Sequence, residues 1–155
     1  MRVRFERFAL LIVALAHLAA QLAHGSSHLA ADVPITAAQL AYVIVVVTVL
    51  PLLAVAVAFW KDQRSGARLF AAAMAASFVF GYLFHFVLDT ADLHSNVVGE
   101  HSDQFFHSAL SLALIEFAGL VYGLAVALRH GRSRSGWSGD STASPGQDGG
   151  GTERS

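Results

Sequence analysis

Four long apolar runs, separated by polar stretches, set the pattern of this chain. They cover about 8–30, 37–60, 69–90 and 105–128. Each exceeds the ~20 residues that an α-helix needs to cross a bilayer. The second run is the most apolar, with VIVVVTVLPLLAVAVAF nearly free of polar groups. Its β-branched residues would suggest a strand in a water-soluble protein. In lipid the backbone must satisfy its own hydrogen bonds, and a run of this length then predicts a helix. Pro51 falls in mid-span and predicts a kink there. Trp60 ends the span as an interfacial aromatic. The expected fold is all-α: a multi-pass membrane protein with a four-transmembrane-helix bundle over 1–130. Residues 131–155 are mainly Gly, Ser, Asp and Arg, and predict a disordered cytoplasmic tail.

Composition supports the pattern. Hydrophobic residues make up 55% of the chain and charged residues only 14%, with a mean hydropathy of +0.55. That is about half the charge of an ordinary soluble domain. There is no cysteine, which excludes disulfides, zinc–thiolate sites, Fe–S clusters and thiol catalysis. The distribution of charge says more than its sum. All ten Lys and Arg lie before the first span, between the second and third, or after the fourth. The positive-inside rule then predicts a plasma-membrane protein with both termini in the cytoplasm. The basic clusters fit anionic lipid contact and give no sign of nucleic-acid binding. No Gly-rich phosphate loop and no GxSxG nucleophile elbow occurs.

The first thirty residues also fit the outline of a secretory signal, with a basic start, an apolar core and small residues around Ala20–Gly25. Cleavage would leave three spans in the same orientation. The polar stripe on this segment argues for its retention. Gly119, Gly123 and Ala127, and likewise Ala73, Ser77 and Gly81, recur every four residues. These small residues predict close helix packing within the bundle. A homo-oligomer or a membrane partner is a further expectation.

Histidines and acids concentrate on one side. His85 to His107 holds four of the eight histidines, together with Asp89, Asp92, Glu100 and Asp103, and no Lys or Arg. At about 100° per residue, His17, Gln21, His24 and His28 share an arc of roughly 60° on the first span. Tyr82, His85, Asp89 and Asp92 share a similar arc on the third, provided the helix continues past Thr90. Asp103, His107 and Ser111 share a face of the fourth. Ionisable groups turn away from lipid into the bundle, so the three faces are expected to meet. Imidazole and carboxylate without thiolate suit Zn(II), Cu(II), Ni(II) or Fe(II). His24, His28, His85, Asp89 and His107 are the expected metal ligands, with His94, His101 and Glu100 as an outer set. Single histidines at an interface commonly bond only to water or backbone, so the argument rests on the group. A His24-xxx-His28 pair without the Glu of HExxH lacks the mark of a metalloprotease.

Glu116 lies in mid-span, about as deep as His17 and about 180° around the helix from His107. It is expected either to pair with His17, as in a proton relay, or to hydrogen-bond with Thr48 or a backbone carbonyl. The leading functional expectation is an outward-facing metal site for handling, sensing or transport. A b-type haem held by two histidines, in a small electron carrier, is the second. A structural or regulatory subunit without cofactor is the third. Metal-dependent hydrolysis with Glu100 or Asp89 as base is the least favoured.

Overall fold

The structure, a computed structural model, describes residues 2–132 and the side chains of 3–129. It is all-helical, with no strand among the described residues. Helix α1 spans Arg2–Ala30 and α2 spans Ala37–Trp60. Helix α3 spans Gln63–Phe86 and α4 spans Ser102–Arg132. All four are long and apolar enough to cross a membrane. Each helix packs on its chain neighbours and α1 closes against α4, so the helices form a ring. The 31–36 and 87–101 loops share one end, here the histidine end. The 61–62 turn and the start of α1 share the other, the arginine end.

Local chemistry sets the helix boundaries. Thr36 caps α2 with Gln39 in a reciprocal capping box. The Asp62 carboxylate accepts from Ser65 N at 2.8 Å and caps α3. That cap starts α3 six residues before the expected third span. The polar stretch between the expected second and third spans, KDQRSGAR, is thus a two-residue turn followed by helix. Helix α3 also ends early, at Phe86. The backbone N–H of His94 folds back to His85 O at 3.0 Å, and His94 Nδ1 lies 2.9 Å from the same carbonyl. This closes the helix end, so the predicted continuation past Thr90 does not occur. Helix α4 runs to Arg132, just beyond the predicted start of the tail, and residues 133–155 lie outside the described part.

The Pro51 kink takes a particular form. Pro51 has no N–H to offer, and the turns before it widen into a π-helix over Val43–Val49. Leu50 N donates to Val45 O, five residues back. The Thr48 hydroxyl lies 3.0 Å from Val43 O and 2.7 Å from Gln21 Nε2, which ties α2 to α1 in mid-span.

The core is small and apolar toward the arginine end. Leu10, Ala14, Ala54, Ala58, Ala67, Phe70, Met74 and Val126 fill it. Leucines and isoleucines such as Ile12, Leu22 and Leu114 point outward, as lipid allows. The small-residue repeats sit at close approaches. A Cβ on Gly123 would lie 3.1 Å from Ala71 N, and one on Gly119 would lie 3.1 Å from the Met74 side chain. The tightest contact is Gly66, where a Cβ would fall 2.4 Å from Ala58 N.

That contact fixes the α2–α3 hairpin. Gly66→Ala is expected to destabilise the protein by about 1–3 kcal/mol through overpacking. Gly25→Ala is expected to be neutral or to stabilise by up to about 1 kcal/mol, since nothing lies within 4 Å of the added methyl. Thermal unfolding of both variants in detergent checks this, and equal melting temperatures would refute the close-packing account.

Candidate metal centre

Three imidazoles meet where α1 and α3 reach the histidine end. His24 and His28 lie one turn apart on α1, and His85 comes from the last turn of α3. One ligand nitrogen from each falls within 4.8 Å of the others. His24 and His85 are buried and His28 is half-buried. Phe105 of α4, fully buried, packs against all three rings at centroid distances of 4.9–5.5 Å. Val33 and Val97 pack with Phe105 at this end of the bundle.

The outer edge of each ring is held or faced by a polar group. His85 Nδ1 lies 3.1 Å from Asp92 O. A carbonyl only accepts, so Nδ1 carries the hydrogen and a neutral His85 keeps a lone pair on Nε2. That Nε2 faces His24 Nε2 at 3.0 Å. His24 Nδ1 lies 3.0 Å from the Ser108 hydroxyl and 3.4 Å from that of Ser27. Both serines also reach backbone carbonyls, Ser27 to His24 O at 2.7 Å and Ser108 to Phe105 O at 2.9 Å.

Two proton arrangements satisfy this geometry. In one, Ser108 donates to His24 Nδ1, and His24 Nε2–H donates to His85 Nε2. In the other, Ser108 donates to Phe105 O and accepts from His24 Nδ1–H. Both Nε2 lone pairs then converge on one point, an arrangement that only a cation stabilises.

The third ring completes the pattern. His28 Nδ1 is shielded from solvent without a hydrogen-bond partner, and so is Asp92 Oδ1. The two atoms stand 4.0 Å apart. Gln39 of α2 donates to the other Asp92 oxygen. Unsatisfied buried polar atoms are uncommon and call for a cause. A residue shift that closes the His28–Asp92 gap would satisfy both atoms.

The expected site is therefore assembled in part. His24, His28 and His85 come together. Asp89 does not join them. It is exposed and accepts from Asn96 at 2.8 Å, because α3 ends before the helical phase can carry Asp89 inward. Asp92 instead returns to the site through the loop and is buried. His107 is exposed, against the ring of Phe106. The inward face of α4 runs through Phe105, Ala109, Leu112 and Glu116, and His107 lies about 200° from Phe105. Asp103, His107 and Ser111 do share a face of α4, but that face points out of the bundle. Glu100 and His101 are exposed too. The structural roles of Ser27, Ser108 and His94 were not foreseen. Ser27 lies one turn after His24, and Ser108 lies one turn after Phe105 on the inward side of α4. Those spacings were the available signal.

Deeper in the bundle, His17 Nε2 and Glu116 Oε1 lie 3.3 Å apart, and both residues are almost wholly buried. Glu116 lies opposite His107 around α4 and faces α1. Glu116 Oε2 has no partner and lies near Gly81. Gln21, one turn along α1 from His17, bonds to Thr48. His17→Leu strands a buried carboxyl group and is expected to destabilise by about 1–3 kcal/mol. The His17→Leu/Glu116→Leu variant is expected to lose less than the sum of the single losses. Denaturant titration of the four proteins measures the coupling, and additive losses would rule the pair out as a unit.

No family model, curated protein or solved structure gives a significant match to this chain.

Proposed function

We propose that this is an integral membrane protein that binds one first-row transition-metal ion through His24, His28 and His85. The observation that carries this reading is that a polar group faces each of the three Nδ1 atoms, within hydrogen-bond distance at His24 and His85 and at 4.0 Å from His28. Ser108 faces that of His24, Asp92 O holds that of His85, and the Asp92 carboxylate faces that of His28. Metal-ligating histidines characteristically have such outer partners, which fix the tautomer and the ring. Asp92 serves two of the three rings, and is the carboxylate of the site in place of Asp89.

Three imidazoles with a nearby carboxylate suit Zn(II), Cu(II), Ni(II) or Fe(II). A tetrahedral ion with bonds of about 2.0–2.1 Å needs nitrogens roughly 3.3 Å apart. The His24–His85 pair is near that separation, and the widest separation in the group must close by about 1.5 Å. The same packing disfavours haem. A bis-histidine haem needs a flat slot between its two ligands, whereas His24 Nε2 and His85 Nε2 are 3.0 Å apart with Phe105 against both rings.

The positions of Lys and Arg support an orientation with the arginine end in the cytoplasm of a plasma-membrane protein. The metal site then opens to the outside. Below it lie the Gln21–Thr48 and His17–Glu116 pairs, and beyond them the apolar core of Leu10, Ala54, Phe70 and Met74. A site with one closed end fits sensing or handling of the metal better than conduction through a single subunit.

Purified protein in detergent is expected to bind one equivalent of Zn(II) or another of these ions, measured by calorimetry and elemental analysis. His24→Ala, His28→Ala and His85→Ala each abolish binding, and Asp92→Ala weakens it about 10–100-fold. His107→Ala and Asp89→Ala leave it unchanged. Binding weakens as the pH falls, because imidazole must be neutral to ligate. Failure of all four ions to bind folded wild-type protein, or loss of binding on His107→Ala alone, would remove this reading.

A further inference from the structure

The arginine end carries a cavity that the metal site does not involve. Its volume is about 300 Å³, and it is lined by Arg4, Arg7, Phe8 and Phe59. Arg4 and Arg7 lie one turn apart on α1, so two like charges share one face. Arg7 Nη1 donates to Phe59 O at 3.3 Å, whereas Arg7 Nε is shielded from solvent and has no partner. Among the described residues, no carboxylate pairs with either arginine. The acids at this end are engaged elsewhere. Glu6 accepts from Gln63 at 2.8 Å and lies 3.7 Å from Arg129, and Asp62 caps α3. The Phe8 and Phe59 rings meet edge to face, with centroids 5.6 Å apart.

This cavity lies at the level of the membrane interface. Trp60 is 88% exposed beside it, and Phe5 on the neighbouring turn is 72% exposed. Interfacial aromatics mark the headgroup depth. Guanidinium forks match phosphate oxygens in geometry and charge. One part of the wall is therefore built for a phosphate, and the other for hydrocarbon. A free phosphate ion would use only the first.

We propose that this cavity binds an anionic membrane phospholipid. Arg4 and Arg7 take the headgroup phosphate, and Phe8 and Phe59 pack on the glycerol end of the acyl chains. The neighbouring Lys61, Arg64, Arg68 and Arg129 add a positive field that favours a net-negative headgroup over a zwitterionic one.

The test uses the full chain purified in a neutral detergent. The protein is offered equal amounts of phosphatidylglycerol and phosphatidylcholine, and the retained lipid is counted by native mass spectrometry. Wild type is expected to retain phosphatidylglycerol roughly ten-fold over phosphatidylcholine. Arg4→Gln and Arg7→Gln should bring the ratio close to one, while His107→Gln, an exposed residue at the opposite end of the bundle, should keep it. Arg4 has no partner within the described protein, so its variant isolates the ligand contact from folding. Equal retention of both lipids by wild type, or an undiminished preference in Arg4→Gln, overturns the proposal. Displacement of phosphatidylglycerol by an equal concentration of inorganic phosphate also overturns it, in favour of a simple phosphate site.

Discussion

A polar side chain inside a lipid-spanning bundle must find its partner within the protein. Helix α1 carries four such groups on one stripe, His17, Gln21, His24 and His28. Each of the other three helices supplies an answer to that stripe. Helix α2 meets Gln21 with Thr48. Helix α3 meets His24 with His85. Helix α4 meets His17 with Glu116 and His24 with Ser108. Apolar packing in lipid has little of the directional preference that water gives a soluble core. These polar contacts therefore set the rotation of each helix about its axis, while the small residues set how closely the helices approach. The π-helical stretch before Pro51 belongs to the same arrangement, since Thr48 within it reaches both Gln21 and Val43 O.

The fold was legible because its signals are long and repetitive. More than twenty apolar residues in a row leave few alternatives in lipid, and the cap at Asp62 shifts a boundary without altering the class. The site was legible only in part, and the reason lies in the loop between α3 and α4. Helical phase carries His24, His28, His85 and Glu116 correctly, because all four sit within regular helix. It fails at Asp89, where the helix has already ended. It fails differently at His107, where the periodicity holds but the polar face points away from the bundle. Hydropathy cannot distinguish a polar face turned to a partner from one turned to solvent when both lie near a helix end. Phe105, two residues earlier, decided the outcome by filling the space beneath the three rings. A bulky aromatic at the start of a helix gives no sign from sequence of which way it will turn.

The two ends of the bundle divide the polar chemistry between them. Among the described residues, most imidazoles and carboxylates gather at one end, and guanidiniums with interfacial aromatics gather at the other. Between them lies a core in which alanine is the commonest residue, with glycine faces that bring α3 and α4 into near backbone contact. Such a core is tight because small side chains let the helices approach, while Phe70 and Met74 fill its middle. The His17–Glu116 pair sits on the histidine-end side of this core.

Asp92 links three elements at the histidine end. This residue touches three elements at once: its carbonyl holds His85 of α3, one carboxylate oxygen takes Gln39 of α2, and the other faces His28 of α1. It belongs to the 87–101 loop, which His94 pins to the end of α3. On the metal-binding reading, an ion draws His28 toward His24 and His85 and gives His28 Nδ1–H cause to close on Asp92. The interaction now missing between two shielded atoms is the one that occupancy would form. Metal affinity and loop position are then coupled by linkage, each favouring the other to the same extent. On that reading, occupancy would act on the 87–101 loop through Asp92 and leave the apolar half of the bundle in place.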